Sequence, residues 1–188
     1  LIMLGGYLSF GPGGYQNTPL ADVLPVRIDR LERQRPGERI STDLHHQGKL
    51  RMTPTRPLGA AHPVMQLSHG DANAKSWGEL PPLEGANRFA GVKPGAQIIA
   101  ASEGNRPEPL LVAGSWGNGR VLAFAGDTTW RWVMEGFGKQ HRRFWRQVIL
   151  WLSKKDDVEE GAVWVKLQQR RFEPGGRVHF TIGATEPD

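Results

Sequence analysis

No cysteine occurs among the 188 residues. That absence removes disulfides, thiolate metal sites and every cysteine nucleophile from the chemistry open to this chain. It leaves the redox compartment open, because a chain without cysteine suits an oxidising and a reducing environment equally. No apolar run approaches the roughly 20 residues that a membrane-spanning helix needs. Leu1 to Leu4 form an apolar tetrapeptide without the basic flank of a secretory signal. The order G-x-G-x-x-G and a phosphate-loop lysine are also missing, so nothing marks a nucleotide site. There is no initiator methionine either. "LIMLGG" reads as a core strand already under way, which predicts a domain that is amino-terminally truncated or begins inside a longer parent.

What is present is aromatic and basic. Seven tryptophans and seven phenylalanines can bury large areas in a core of one domain, or of one domain and part of another. The formal charge is +5. Arginines gather at Arg27, Arg30, Arg33, Arg35 and Arg39, at Arg142, Arg143 and Arg146, and at Arg170 and Arg171. Acidic residues such as Asp29, Glu32 and Glu38 are interspersed. We therefore read these clusters as solvated surface, with a polyanion-binding face as the rival and nucleic acid as an unfavoured partner.

Along the chain, Gly5 and Gly6 stop the first strand, and a loop rich in glycine follows. Thr18 and Pro19 predict an N-cap and first turn for a short helix through Leu24, which Pro25 ends. "KLRMTPTRPL" suits an edge strand, because Pro54 and Pro57 cannot donate to a ladder. Pro63 is placed to open a helix. The stretch from Ser76 to Ala96 reads as a long connection held down by Trp77 and Phe89. "QIIAAS", "EPLLVAGSW" and "RVLAFAG" read as strands, the last two joined by "GNG", where Asn118 and Gly119 can adopt positive φ. "KQHRRFWRQVILWLSKK" predicts an amphipathic helix with Phe144, Trp145, Val148, Ile149 and Leu152 inward and Arg142, Arg143 and Arg146 largely outward. Lys154 and Lys155 would sit in its last turn, where positive charge suits the helix dipole. The acidic run at 156–161 then predicts a linker. Residues 162–188 alternate with period two around a Pro-Gly-Gly turn, as a β-hairpin opening a further β domain.

"GNGRVLAFAGDTTW" with "HRRFWRQVILWL", together with "LIMLGGYLSFGPGGYQNTPLADVLPV", resembles the class I glutamine amidotransferase-like superfamily over residues 1–155. The nearest branches are its trehalose-utilisation (ThuA-like) members and the amidotransferase-like domains of bacterial multidomain membrane proteins. The resemblance implies an α/β, flavodoxin-like, three-layer domain with a central parallel sheet, followed here by the first strands of a β-sandwich-like segment. It also implies a membrane-anchored bacterial parent with this domain outside the cytoplasm. True amidotransferases of the family present a Cys on a strand-to-helix elbow and a His-Pro-Glu turn after a later strand. Here the elbow reads Gly5, Gly6, Tyr7, and the later turn reads Gly126, Asp127, Thr128, Thr129. Glutamine hydrolysis through a cysteinyl intermediate is excluded for this chain.

The candidate ligand-binding residues are therefore Gly5, Gly6, Tyr7, Asp127, Thr128 and Trp130. Asp127 has two readings: an N-cap for the following helix, which the strand-to-helix turn favours, or a general base or ligand-binding carboxylate beyond a strand's carboxyl end. Trp130 and Trp132 could form a sugar-stacking platform, although two indoles beside a helix start are more commonly packing. His141, a catalytic candidate alongside Asp127 in the ThuA-like reading, has no orienting partner in sequence. His45 and His46 are adjacent and should point apart, so with Asp43 they make a poor metal site; no metal or cofactor is expected. His62 has no evident partner. Gly5, Gly6, Gly11, Gly13 and Gly14 could cradle an anion, but turn geometry accounts for them. The expectation is a non-catalytic binding or scaffolding module in a larger protein, whose partners are a small ligand or protein and the parent's other domains. The alternative is a carbohydrate-binding or carbohydrate-processing domain that uses the Asp127/Thr128 cleft.

Overall fold

The computed structural model describes residues 1–28, 33–155, 163–167 and 177–184. Arg30, Arg170, Arg171 and the acidic run at 156–161 lie outside the described residues. The chain opens with β1 (Ile2–Leu4), a 3-10 turn at Tyr15–Asn17, α1 (Pro19–Val23) and β2 (Val26–Arg27). Then follow β3 (His45–Leu50), β4 (Met52–Pro54), α2 (Leu58–Ala61), a 3-10 turn at Pro63–Met65, and α3 (Ala72–Glu79). The chain continues through β5 (Leu83–Asn87), β6 (Gly91–Val92), β7 (Gln97–Ser102), β8 (Pro109–Trp116) and β9 (Gly119–Phe124). After these come α4 (Trp130–Met134), α5 (Gly138–Leu152), β10 (Val163–Leu167) and β11 (Phe180–Ala184).

A five-stranded sheet in the order β1-β9-β8-β7-β4 divides two apolar cores. Period-two alternation feeds both. In β9, Leu122 and Phe124 face one core with Trp77, Trp132, Phe144 and Val148. Val121 and Ala123 face the other, with Phe10, Leu24, Val26 and Ile28. The result is the expected three-layer α/β arrangement. The sheet itself differs from the parallel one that the resemblance implied. Among its pairs only β1 with β9 is parallel; β4, β7, β8 and β9 pair antiparallel. The short β7–β8 and β8–β9 connections force the antiparallel sense for those two pairs, since a parallel return needs a crossover of a dozen or more residues.

Several local expectations need correction. Thr18 is the N-cap of α1 by backbone angles, but its hydroxyl donates back to Tyr15 O at 2.8 Å instead of capping. Pro63 opens a 3-10 turn, and His62 is far from partnerless: its Nδ1 accepts from Val64 N at 3.3 Å and its ring meets Trp151 at 5.1 Å. The long connection contains the end of α3, all of β5 and β6; Trp77 does anchor it, its Nε1 donating to Met65 O at 2.9 Å. In the β8–β9 hairpin, Trp116 pairs with Gly119, so the turn residues are Gly117 and Asn118. Gly117 takes φ of 53° and Asn118 is not positive, which fits a glycine-first turn. On α5, Phe144, Val148 and Trp151 are buried while Ile149 is 64% exposed. The inward stripe steps four then three residues, which rotates Ile149 out.

The helix ends in a Schellman arrangement. Lys155 N donates to Leu150 O at 2.8 Å and Lys154 N to Trp151 O at 3.0 Å, with Lys154 in the left-handed region at φ 58°. In the tail, β10 and β11 pair antiparallel, with Val163 opposite Ala184 and Leu167 opposite Phe180. No helix among the described residues is long and apolar enough to cross a membrane.

Candidate functional site

The parallel neighbours β1 and β9 end side by side, and the loops beyond them form one wall of a cleft of about 370 Å³. That volume lies in the range of small-molecule sites. The other wall is the two-stranded β3–β5 sheet, in which His45 pairs with Asn87 and His46 with Ala86. Asn87 joins the walls. Its backbone N–H donates to Ala125 O at 2.9 Å, and its side chain brackets Gly6, accepting from Gly6 N at 2.9 Å and donating to Gly6 O at 3.0 Å. Gly5 must be glycine, because a Cβ there would run into the Ala125 carbonyl oxygen.

Gly6, Tyr7 and Asp127 from the predicted set all line this cleft. A Cβ built on Gly6 would stand 3.8 Å from Asp127 Oδ2, so the carboxylate faces the β1 loop. Asp127 is not a helix cap. The N-cap of α4 is Thr129, which uses no side-chain capping bond; its Oγ1 instead accepts from Trp145 Nε1 at 3.2 Å. Among the described residues Asp127 has no hydrogen bond or ion pair. The chain turns into α4 through backbone bonds, Arg131 N to Thr128 O and Trp132 N to Thr129 O, so no acidic cap is required.

The remaining predicted residues fall away from the cleft. Thr128 Oγ1 accepts from Glu84 N at 2.9 Å and so fastens β5 to the β9 turn. Trp130 is 57% exposed, whereas Trp132 is buried with its Nε1 donating to Pro81 O at 2.9 Å. The two indoles therefore form no platform. His141 sits between the rings of Trp132 and Trp145, each 6.4 Å away, and burial together with the Arg142 charge holds its pKa low. It does not join Asp127.

His45, which the sequence offered only as a poor metal ligand, is a buried part of the cleft wall. Its ring is stacked on Tyr7 at 6.0 Å and 14°. Among the described residues its buried Nε2 has no hydrogen-bond partner. Burial pushes its pKa down, so the ring is neutral near pH 7. Tyr7 is itself fixed, its hydroxyl lying 2.6 Å from Glu38 O and accepting from Gln34 Nε2 at 3.0 Å. Glu84 also lines the cleft, but Arg131 Nη1 holds its Oε1 at 2.8 Å. His46 behaves differently from its neighbour. Its Nε2 lies 3.6 Å from Glu108 Oε2, and that carboxylate also takes Arg88 Nη1 at 3.2 Å. Burial and the Arg88 charge lower the His46 pKa against the opposing pull of Glu108. No three His, Asp or Glu side chains among the described residues converge to hold a metal ion.

Comparison with known proteins places this geometry. The sequence profile of a family described as "Putative glutamine amidotransferase" matches residues 1–154. The chain belongs to that family. Two solved structures from Salmonella typhimurium resemble this amidotransferase-like chain. One, "Cytoplasmic Protein STM1381" from strain LT2, is 28% identical with a TM-score of 0.59. The other, "Cytoplasmic Protein STM3548", is 23% identical with a TM-score of 0.53 and speaks to the fold alone. Each alignment covers 81% of this chain and 54% of the other, so the chain spans about half the length of the structures it matches. No curated protein matches it.

Proposed function

We propose that this amidotransferase-like domain is a non-catalytic module that binds a small molecule at the carboxyl ends of β1 and β9. The observation that carries the reading is the cleft itself, about 370 Å³ at the carboxyl ends of two neighbouring parallel strands and lined by Gly6, Tyr7, His45, Asn87 and Asp127. The chain supplies no thiol, and the glycine amides of the β1 loop are already bonded: Gly5 N to Gly126 O at 3.3 Å and Gly6 N to Asn87 Oδ1 at 2.9 Å. No sulfur nucleophile remains, and neither Gly5 nor Gly6 offers a free amide to an oxyanion.

The decisive experiment pairs two assays on the purified chain. Ammonia release from glutamine should match the uncatalysed rate, and release above it would refute the non-catalytic reading. Amide shifts of Gly6, Gly85 and Asn87, followed while small molecules are titrated in, should saturate and stay confined to the cleft. A second reading, a ThuA-like carbohydrate site, is favoured by the flat Tyr7–His45 ring pair in the cleft wall. Saturable binding of trehalose or glucosides that Asp127→Ala abolishes, with folding intact, would select it. For the parent, the proposal is a larger bacterial, membrane-anchored protein with this domain outside the cytoplasm. It rests on the family resemblance, and the two Salmonella relatives are described as cytoplasmic. Membrane spans in the parent reading frame would support it, and their absence would end it.

A further inference from the structure

We infer that the face shared by α4 and α5 docks on an anionic lipid surface, its exposed apolar side chains entering the headgroup layer and its basic stripe meeting the lipid phosphates. None of the residues involved lines the cleft, so this face and the cleft stand or fall separately.

The apolar half is on α4. Trp132 points into the core, and on so short a helix this turns Trp130, Val133 and Met134 outward. Trp130 is left 57% exposed and Met134 78%. Single exposed apolar residues are ordinary on a protein surface, but three large ones within five residues are a patch. The charged neighbours are spent elsewhere: Arg131 reaches Glu84 at 2.8 Å and Glu135 at 3.4 Å.

The basic half is on α5. Burial of Phe144, Val148 and Trp151 turns Lys139, Arg142 and Arg146 to the exposed side of that helix. No Asp or Glu occurs between 138 and 152 to offset them. Among the described residues neither Lys139 nor Arg142 has an ion pair. The two halves meet at Gly138, where a Cβ would stand 3.9 Å from Val133 Cγ1 and 3.7 Å from Arg142 Nη1.

An occupant has to satisfy both halves at once. A bilayer rich in anionic lipid does: its phosphates balance the cations, its headgroup layer takes an indole, and its acyl boundary takes Val133 and Met134. A nucleic acid would balance the charge but leave the apolar side chains unburied. A second copy in a two-fold pair would bring a like-charged stripe against the first.

The test is co-sedimentation of the purified chain with vesicles of phosphatidylcholine alone, or of phosphatidylcholine and phosphatidylglycerol in equal parts. The chain should bind the anionic vesicles, weaken with added salt, and bind the neutral ones at least about tenfold less tightly. Lys139→Gln combined with Arg142→Gln should weaken anionic binding about 25-fold, about fivefold for each charge removed. Met134→Ser should weaken it about tenfold, the factor for withdrawing one such side chain from an apolar layer. Urea midpoints should match the wild type for both variants, and the contrast between the two lipids depends on neither. Equal binding to both vesicles, or binding to neither, overturns the inference. So does anionic binding that the paired charge change leaves intact, because another basic cluster would then be responsible. Binding that Met134→Ser leaves intact and that duplex DNA matches would make the face a polyanion site instead. Lipid-free dimerisation that Met134→Ser abolishes would make a second copy the occupant, again against the inference.

Discussion

Replacing His45 with phenylalanine should make the free domain more stable. Most substitutions of a buried residue lower stability, so the sign is unusual and follows from one atom. The His45 ring is 7% exposed and its Nε2 is unpartnered, which carries a desolvation cost of about 1–3 kcal/mol. Phenylalanine keeps a flat ring against Tyr7 and has no polar atom to strand. Its extra size takes back part of the gain, since overpacking costs about 1 kcal/mol or more. A net gain of about 1 kcal/mol is expected at pH 7, read from urea denaturation midpoints at unchanged slope. The pH dependence gives an independent check. Burial lowers the folded pKa of His45, so the unfolded chain takes up its proton more readily. The neutral form's contribution is complete above the unfolded pKa of about 6.5 and is lost as pH falls through it towards the folded value. The wild-type chain should therefore lose stability between pH 7 and pH 5 faster than His45→Phe, which retains the same trend from His46 and His141. A variant destabilised by more than about 1 kcal/mol, with an unchanged pH slope, would mean that the imidazole is satisfied and would refute the reasoning.

Three further substitutions separate the roles assigned above. Asp127→Ala should change stability by less than about 0.5 kcal/mol in thermal or urea unfolding, against about 1 kcal/mol for a lost N-cap. Asn87→Ala should cost about 2–4 kcal/mol by the same measurement, because it strands both backbone groups of Gly6 in a part-buried site. Lys154→Gly should raise stability by about 0.5–1 kcal/mol, since φ of 58° in the Schellman turn strains any residue with a Cβ; a loss would show that the lysine side chain has another role.

The sequence made the central layer legible because its signals are local. The "GNG" turn, the apolar run from Val121 to Phe124 and the helical spacing of Phe144 and Val148 each fit within one element; Trp151 was not among the residues expected inward. The parallel or antiparallel sense of the sheet is a property of connections, and only the β8–β9 hairpin announced its own. Of the cleft, Gly6, Tyr7 and Asp127 were legible because chemistry gathers beyond strand ends. Their partners came from β3 and β5, far away in sequence. "HH" at 45–46 was visible as a pair, but the stacking of His45 on Tyr7 and the turning of His46 to Glu108 depend on tertiary contacts. Asn87 carried no signal at all within "GANRF". The capping role expected of Asp127 failed for a similar reason. A side chain caps from the position immediately before the first helical residue; in α4 that position is Thr129, and Asp127 stands two residues further back.

The most direct test is the imidazole titration of His45 in the free chain, followed by 15N NMR. A buried ring without a protein partner should titrate below 6.5 and be neutral at pH 7. A His45 that titrates at or above 6.5 would mean a solvated or carboxylate-paired ring, and the closed, buried wall on which the cleft's binding role rests would be contradicted.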